Sequence, residues 1–583
     1  MIKTLLKQVK EFKKDSLLTP CFMILEVLME MLIPLMMASI IDKGVYAGNM
    51  PHIYKMGIVM IGMALIALFA GIMGGRCGAK ASTGFARNLR QAMFDKVQTF
   101  SFANIDKLST AGLITRMTTD VSNVQNSYQM ILRICIRAPF SLIIAMCMAF
   151  SINAKISCIY VVAVIVLGFA LFFIMKKSMK YFTQMFDKYD DLNASVQENV
   201  SATRVVKAFV REKFETDKFM KATGNLYDMS IRAERITILN SPIMQITVNT
   251  CILLISWVGA KMIVNSELTT GELMSLLTYC MNILMSLMML SMIFVMLTMS
   301  AASGRRICEV LNEESDICNP ENPEFQVADG SIRFENVTFR YNQNSERPVL
   351  DCINLEIASG ETIGILGGTG SSKTSLVNLI SRLYDVSDGA VYVGGKDVRS
   401  YDLETLRNDV SVVLQKNVLF SGTVMDNLHW GDPNATEEDC KRACRLACAD
   451  EFIEKMPEKY DTYIEQGGTN VSGGQKQRLC IARALLKKPK VLILDDSTSA
   501  VDTATDAKIR KAFAEEIPNT TKLIIAQRIS SIQHADRILV MNDGRVDAIG
   551  THEELLESNE IYREVYEAQT GGNGDFDENG GEA

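Results

Sequence analysis

A loop rich in glycine and serine, with a single lysine, occupies residues 367–374 and has the clearest chemistry in the sequence. It reads GGTGSSKT, follows an apolar segment at 361–366 and precedes a segment of helical periodicity at 374–384. Such a loop turns successive backbone N–H groups and a helix N-terminus toward phosphate, while Lys373 supplies a positive charge and Thr374 a hydroxyl for Mg²⁺. The sequence therefore predicts a phosphate-binding loop between a strand and a helix.

One residue of this loop departs from the usual phosphate-loop pattern. That pattern has Gly immediately before the lysine, where this chain has Ser372. Serine is tolerated at a helix start, and its Cβ matters only where the backbone needs a positive φ or a ligand comes very close. An incidental Gly/Ser turn is the alternative interpretation, and the strand-loop-helix context argues against it.

An apolar strand further along the chain delivers two carboxylates at its end. The segment VLILDD at 491–496 places Asp495 where it can coordinate Mg²⁺, directly or through water, and Asp496 where it can face an attacking water. Between the loop and this strand, VSGGQ at 471–475 begins another helix, whose N-terminus can also bind phosphate. One chain thus carries two elements that bind phosphate.

In order and spacing these motifs resemble the nucleotide-binding domain of ATP-binding cassette (ABC) proteins. VSGGQ differs from the family's LSGGQ signature only in its first residue. The resemblance implies that ATP and Mg²⁺ are the cofactors, that Tyr341 stacks on adenine, and that Asp502 belongs to the D-loop. It implies Thr374, Asp495 and the Q-loop residue Gln415 as metal ligands. The residues that it implies for nucleotide binding are Tyr341, Gly367, Gly368, Thr369, Gly370, Ser371, Ser372, Lys373, Thr374, Ser375, Ser472, Gly473, Gly474, Gln475 and Asp502.

The catalytic positions that the resemblance implies are Asp496, Gln527 and Gln415, and the first two depart from the family. The family's general base is Glu where this chain has Asp496, and its switch His is replaced by Gln527 in the segment IIAQR at 524–528. Asp is one methylene shorter, so its carboxylate lies about 1.5 Å further back, whereas general-base catalysis needs contact near 2.6–3.2 Å. Gln can hydrogen-bond a phosphate but cannot carry a positive charge.

The departures at Ser372, Asp496 and Gln527 all concern this chain's own phosphate loop, while its signature is nearly intact. In the family, two cassettes associate head to tail, and each ATP lies between one chain's loop and the other's signature. The pattern resembles the degenerate half of a heterodimeric exporter, whose partner half-transporter has the catalytic Glu and the switch His. A homodimer with slow catalysis and a membrane protein gated by ATP binding are the alternatives that remain.

The elements that precede the cassette are apolar. Six segments before residue 305 are long enough to span a bilayer. The two long polar segments between them and the N-terminus are rich in Lys and Arg, so the positive-inside rule places all three in the cytoplasm. Their helical periodicity predicts that the membrane helices continue into the cytoplasm. The predicted spans are about 17–41, 56–75, 136–153, 156–175, 243–264 and 273–302.

The predicted fold class is multidomain: an all-α six-helix transmembrane domain with long cytoplasmic helix extensions, followed by an α/β P-loop ATP-binding cassette with a helical subdomain. This order resembles an ABC exporter half-transporter in the cell membrane of a bacterium, with the N-terminus and cassette cytoplasmic. Segments 109–117 and 209–219 are similar to the family's coupling helices, which dock on the cassettes. The predicted division is a basic N-terminal segment at 1–14, the transmembrane domain at 15–305, a linker at 306–330, the nucleotide-binding domain at 331–567 and a disordered acidic tail at 568–583.

Composition sets limits that agree with this division. The 583 residues are 48% hydrophobic, yet carry 60 Lys and Arg and 67 Asp and Glu, as expected for a chain with one apolar and one charged part. The net charge of −7 argues against a protein that neutralises nucleic-acid phosphate. Six of the 14 cysteines lie in apolar runs, where they serve as small hydrophobic residues: Cys21, Cys135, Cys147, Cys158, Cys251 and Cys280.

Two acidic residues in the first apolar segment are the chemical anomaly of the membrane half. Counted at 1.5 Å per residue from Leu17, Glu26 lies about 14 Å deep, close to the middle of a bilayer core of about 30 Å. An unpaired acid at that depth costs on the order of 2.5–3.5 kcal/mol. Glu30 shares its helix face, so both residues are candidates to line a central cavity and to favour cationic cargo. The cargo expected of the exporter as a whole is a hydrophobic or cationic molecule. Pairing with Arg133 or Arg137 is the structural alternative.

Overall fold

The computed structural model describes residues 1–342 and 345–570, which form two compact units. One unit comprises Met1–Thr99 and Leu108–Glu313, and the other comprises Phe100–Lys107 and the chain from Glu314 onward. The acidic tail predicted at 568–583 lies outside the described residues from position 571.

The first unit is helical, because its sequence consists of long apolar and amphipathic stretches with few internal breaks. Turns of π-helix at Ile41–Val45 and Arg116–Asp120 continue two of its helices. The helices of residues 1–312, including the short α4 near the unit boundary, are α1 Ile2–Leu6, α2 Lys13–Ile40, α3 Met50–Gln98, α4 Phe102–Leu108, α5 Thr110–Thr115, α6 Val121–Ile152, α7 Ala154–Ser201, α8 Thr203–Ala208, α9 Glu212–Thr237, α10 Asn240–Val264 and α11 Thr270–Asn312.

Six helical segments of the described residues are long and apolar enough to cross a membrane, and each overlaps one of the six predicted spans. Helix α3 has 49 residues and α7 has 48. At 1.5 Å per residue each is about 70 Å long, more than twice the thickness of a bilayer core. Both helices therefore continue well beyond the membrane, as their periodicity predicts. The six segments are Ile2–Val45, Met50–Gln98, Thr110–Ile152, Ala154–Phe182, Glu212–Val264 and Thr270–Leu290.

The last of these helices extends further than predicted. Helix α11 continues to Asn312, so the first seven residues of the linker predicted at 306–330 are helical. The side chain of Arg306 explains the extension, because its Nε donates to the Asp120 carboxylate at 2.7 Å. Ile307 and Val310 are buried on the same part of the helix. Arg306 was predicted to belong to the linker, but its ion pair with Asp120 holds it in helix α11.

The second unit contains two main sheets and a set of helices. One sheet is antiparallel with strand order β2-β1-β4-β5, and the other has the order β12-β11-β3-β10-β9-β6. The elements are β1 Ile332–Phe339, β2 Leu350–Ile357, β3 Thr362–Gly367, α12 Lys373–Ile380, β4 Asp388–Val393, β5 Lys396–Asp397, α13 Leu403–Asp409, β6 Val410–Val413, β7 Gly422–Thr423, α14 Val424–His429, α15 Glu437–Leu446, α16 Asp450–Ile453, β8 Tyr463–Ile464, α17 Gly473–Leu486, β9 Val491–Asp495, α18 Thr503–Glu516, β10 Thr521–Ile525, β11 Arg537–Asn542, β12 Arg545–Gly550, α19 His552–Ser558 and α20 Glu560–Thr570.

The six-stranded sheet positions the predicted chemistry. Strands β6, β9, β10, β3 and β11 run parallel, and β12 is antiparallel at the edge. Every residue of β9 and β10 is buried, as expected for central strands. The apolar sequence predicts this burial for β9, whereas β10 begins with Thr521 and Lys522. Carboxyl ends of parallel strands meet at one edge of a sheet, which is where ligands bind in such folds. The phosphate loop, the two carboxylates, Gln415 and Gln527 all follow strands at this edge.

Candidate active site

The phosphate loop curves around the side chain of its own lysine. The Lys373 ammonium donates to the carbonyl oxygens of Gly367 and Gly368 at 2.7 and 2.9 Å, and to Ser371 Oγ at 3.1 Å. Burial lowers the pKa of Lys373, and the carboxylates of Asp495 and Asp496 oppose that change. The loop forms one wall of a cavity of about 550 Å³, whose lining is Leu366, Gly367, Gly368, Thr369, Gly370, Ser372, Lys373, Thr374, Ser375, Gln415, Asp495, Asp496, Ile525, Gln527 and Val565.

Ser372 stands in a backbone conformation that suits glycine. Its φ and ψ are 71° and 22°, in the left-handed region. For a residue with a Cβ this region costs roughly 1–2 kcal/mol more than the right-handed one. The Cβ of Ser372 therefore matters, because the backbone at this position has a positive φ. Serine in place of the usual glycine strains the loop immediately before Lys373.

A hydroxyl and a carboxylate meet beside the loop. Thr374 Oγ1 donates to Asp495 Oδ2 at 2.9 Å, and Asp495 is 2% exposed. Burial raises the pKa of Asp495, the hydrogen bond from Thr374 opposes that rise, and the neighbouring Asp496 adds to it. Hydroxyl, carboxylate and amide oxygens are the ligands that Mg²⁺ prefers, and Gln415 lines the same cavity. The donor set therefore fits the metal that the sequence implies.

The two catalytic positions that depart from the family contact each other. Gln527 Nε2 donates to Asp496 Oδ2 at 2.9 Å. Burial raises the pKa of Asp496, and hydrogen bonds from Gln527 and Gln415 oppose the rise. This contact was not predicted, although the two residues follow adjacent parallel strands in which Asp495 is paired with Ile525. Asp496 also has a positive φ of 48°, a conformation that Asp tolerates better than most residues.

Tyr341 contacts α12, the helix that follows the phosphate loop. Its hydroxyl lies 2.9 Å from Ser375 Oγ on α12, and the residue is 50% exposed. The ring is held by edge-on contacts with Phe339 and Tyr384, with centroid distances of 4.7 and 5.0 Å. A half-exposed aromatic side chain is thus held beside α12, next to the phosphate loop.

The signature segment lies outside this cavity and begins α17. Ser472 Oγ accepts from Gln475 N at 3.3 Å, and Gln475 Oε1 accepts from Ser472 N at 2.9 Å, which is a capping box. A Cβ on Gly474 would lie 2.6 Å from the carbonyl oxygen of Ala500, so only glycine allows this close approach to the D-loop. Ser472 and Gly473 are exposed, and none of residues 472–475 lines the cavity.

A glutamine that sequence reasoning missed joins the signature helix to the D-loop. Gln477 Oε1 accepts from Ala500 N at 3.0 Å, and its Nε2 donates to Ser499 Oγ at 3.2 Å. The sequence does contain a sign of this role, because Gln477 is a polar residue on the same helix face as Cys480 and Ile481, which are both buried. Asp502, at the end of the D-loop, accepts from Thr505 N at 2.9 Å and so caps α18.

The acidic residues of the first membrane helix both pair with one arginine. Arg137 Nη1 donates to Glu26 Oε1 at 2.8 Å, and its Nη2 donates to Glu30 at 3.0 Å. Arg137 belongs to α6, so the cluster joins α2 to α6. The structure therefore has the ion pairing that the sequence left as an alternative to a role in cargo binding.

The chain has a helical unit with six candidate spans, followed by an α/β cassette. The cassette carries a phosphate loop, an acidic strand end and a helix that begins with Ser-Gly-Gly-Gln. Together these features define a subunit of an ATP-driven transporter. Residues 17–288 match the family described as "ABC transporter transmembrane region", and residues 350–499 match "ABC transporter". The chain belongs to the ABC transporter family. Its domain order makes it a half-transporter of the exporter type, a class that binds ATP, couples its hydrolysis to transport and functions as a dimer in the membrane.

Curated relatives align over most of both chains. The "Uncharacterized ABC transporter ATP-binding protein YfiB" of Bacillus subtilis (strain 168) is 36% identical over 95% of this chain and 96% of its own length. The "Uncharacterized ABC transporter ATP-binding protein YknU" of the same organism is 34% identical over 88% and 87%. The "ATP-dependent lipid A-core flippase" of Desulfotalea psychrophila is 31% identical over 83% and 84%. The predicted exporter half-transporter is thus confirmed.

Proposed function

We propose that this chain is the degenerate-site subunit of a heterodimeric ABC exporter. Its own phosphate loop binds ATP and hydrolyses it slowly or not at all. Its signature segment completes the catalytic site of a partner half-transporter that has the general-base Glu and the switch His. The observation that carries the proposal is the hydrogen bond between Gln527 and Asp496, which joins the two departures at this chain's own site.

This hydrogen bond occupies one carboxylate oxygen of Asp496, the residue at the general-base position. Asp496 is one methylene shorter than Glu, and its Oδ2 is held by the Gln527 amide at 2.9 Å. A general base must come within about 2.6–3.2 Å of the water that it deprotonates. An amide also carries no charge with which to stabilise a γ-phosphate in the transition state. The carboxylate at the general-base position therefore reaches less far toward the attacking water, and the switch position lacks a positive charge. Both losses fall at the same site.

Binding of ATP and Mg²⁺ needs different residues, and those are retained. Lys373 and the loop N–H groups would hold the phosphates, while Thr374, Asp495 and Gln415 would hold Mg²⁺. The metal, when bound, neutralises phosphate charge. Ser372 keeps its backbone N–H although its φ of 71° is strained. We therefore expect a site that binds nucleotide but turns it over poorly.

The signature supports the second half of the proposal. Ser472 and Gly473 are exposed at the N-terminus of α17, which is 14 residues long, and its first N–H groups are available to an anion. Residues 472–475 do not line this chain's own cavity, which supports the proposal that they bind the phosphate of an ATP held by another chain. That chain is the partner with the intact catalytic residues.

The cargo that we propose is hydrophobic or cationic, covering drug, lipid or peptide efflux, and multidrug efflux in particular. The name of the flippase from D. psychrophila states a lipid as its cargo, which supports an amphiphilic molecule. Glu26 and Glu30 remain candidates for contact with a cation, which would then compete with Arg137 for their carboxylates. We place the chain in a bacterial cell membrane with its N-terminus and cassette in the cytoplasm.

The test is ATP hydrolysis in lipid nanodiscs by this chain alone and together with a half-transporter encoded by a neighbouring gene. The partner must carry Glu and His at the positions that match Asp496 and Gln527. We expect the pair to hydrolyse ATP at least ~100-fold faster than the single chain, because general acid-base catalysis contributes about that much. Equal rates per cassette for the chain alone would overturn the proposal in favour of a slow homodimer.

A further inference from the structure

A short cytoplasmic segment that interrupts the helical half belongs to the cassette unit. It comprises Phe100–Lys107 and includes most of α4. Ser101 donates its hydroxyl to the Asp316 carboxylate, and Asn104 Nδ2 donates to the carbonyl oxygen of Glu314 at 3.1 Å. Ser101 and Asn104 are 6% and 5% exposed. The segment that docks thus precedes the predicted coupling segment at 109–117.

One tyrosine of the cassette contacts this segment twice. The Tyr384 hydroxyl donates to Asp106 Oδ2 at 2.7 Å, and the rings of Tyr384 and Phe102 have their centroids 6.0 Å apart. Tyr384 follows α12, the helix that begins with Lys373. It is therefore joined through a short stretch of chain to the phosphate loop and through its side chain to the cytoplasmic segment.

The Tyr384 ring also contacts Tyr341, the aromatic residue predicted to stack on adenine. Its ring is perpendicular to that of Tyr341, with an interplanar angle of 87° and a centroid distance of 5.0 Å. Tyr341 in turn lies 2.9 Å from Ser375 through its hydroxyl and leaves half of its surface exposed. An unbroken series of side-chain contacts thus runs from Tyr341 through Tyr384 to Asp106.

We propose that Tyr384 is a positioning residue that transmits occupancy of the adenine subsite, through Asp106, to the cytoplasmic segment Phe100–Lys107. This inference rests on the proposed function, because it takes Tyr341 as the ring on which adenine stacks. A base that covers the exposed face of Tyr341 restricts that ring, and the edge-on contact restricts Tyr384 in turn. The hydroxyl of Tyr384 then holds Asp106 more firmly.

The same geometry predicts different effects for the adenine base and for the phosphates of ATP. Tyr341 contacts α12, the helix that follows the phosphate loop, through a hydrogen bond to Ser375, whereas the proposed relay begins at the Tyr341 ring. ATP should therefore act on both the loop and the segment, while inorganic triphosphate, which has no base, should act on the loop alone. Conventional coupling through cassette closure would not distinguish the two ligands at the segment.

The experiment is amide hydrogen exchange of the full-length chain in lipid nanodiscs, with Mg²⁺ and either saturating ATP or saturating inorganic triphosphate. We expect both ligands to slow exchange in 367–380. ATP alone should slow exchange in 102–107, by at least ~5-fold, the lower end of couplings between distinct sites. Equal protection of 102–107 by both ligands, or none by ATP, would overturn the relay. Failure of ATP to protect 367–380 would overturn the proposed function itself.

Four variants separate a relay from a structural contact. Tyr384→Phe and Asp106→Ala should remove the ATP-specific protection of 102–107 while the protection of 367–380 persists. Asp106→Asn should keep it, because the amide oxygen still accepts from Tyr384. Tyr392→Phe is the matched control, since it removes another cassette hydroxyl, one that hydrogen-bonds Glu335. If Tyr384→Phe raises exchange in 102–107 equally with and without ATP, the bond is structural and the inference is wrong.

Discussion

Replacing Gly474 with aspartate is expected to lower ATP hydrolysis by the two-chain complex at least ~100-fold, which is the usual effect of removing a donor that stabilises transition-state charge. A side chain at this position would collide with the Ala500 carbonyl oxygen, since its Cβ would lie 2.6 Å away. It would also place a negative charge at the helix N-terminus that faces the partner's ATP. Steady-state release of phosphate by the purified complex measures the effect.

The contrasting variant is Asp496→Asn, which we expect to leave hydrolysis nearly unchanged. Asp496 belongs to the site that contributes little turnover in the proposed complex, whereas Gly474 belongs to the site that contributes most. Val471→Leu, which restores the family's first signature residue, is the control for disturbance of α17. The asymmetry would be contradicted if Asp496→Asn and Gly474→Asp lowered the rate equally.

Restoring the family's residues is expected to produce catalysis where little exists. In a complex whose partner has its general-base Glu replaced by Gln, Asp496→Glu with Gln527→His should raise hydrolysis at least ~10-fold, a part of the ~100-fold or more that general acid-base catalysis contributes. The added methylene returns about 1.5 Å of reach, and histidine returns a group that can be charged. Either change alone should achieve much less, because residues that act as a unit are not additive.

Ser372→Gly, added to that double variant, tests the third departure from the family. It removes a side chain from a backbone at φ 71°, so we expect the triple variant to be both more stable and more active than the double. Asp496→Glu alone should lower the melting temperature slightly, because Asp tolerates a positive φ better than Glu. No gain in hydrolysis by the triple variant, in a complex that still binds ATP, would show that other residues suppress turnover.

Much of the architecture follows from local sequence. The six spans, the buried strand β9 and the loop-to-helix junction at Lys373 are predicted because apolar length, a continuous apolar run and glycine spacing are local signals. The capping box at Ser472 is likewise encoded within four residues. These features needed no knowledge of which elements pack together.

The parts that were not predicted depend on contacts between distant residues. The bond between Gln527 and Asp496 requires that β9 and β10 be neighbours in the sheet, and strand order is not a local property. The role of Arg306 in extending α11 depends on Asp120, almost two hundred residues earlier. The docking of Phe100–Lys107 depends on Asp316 and Tyr384, for which spacing gives no signal.

In the proposed complex, this chain's own site holds ATP while the partner's site turns it over. The most direct measurement is the identity of the nucleotide on each chain during turnover, with 8-azido-ATP labelled at the α-phosphate, rapid cross-linking and separation of the two chains. We expect intact triphosphate on this chain and mainly diphosphate on its partner. Equal proportions of diphosphate on the two chains would contradict it.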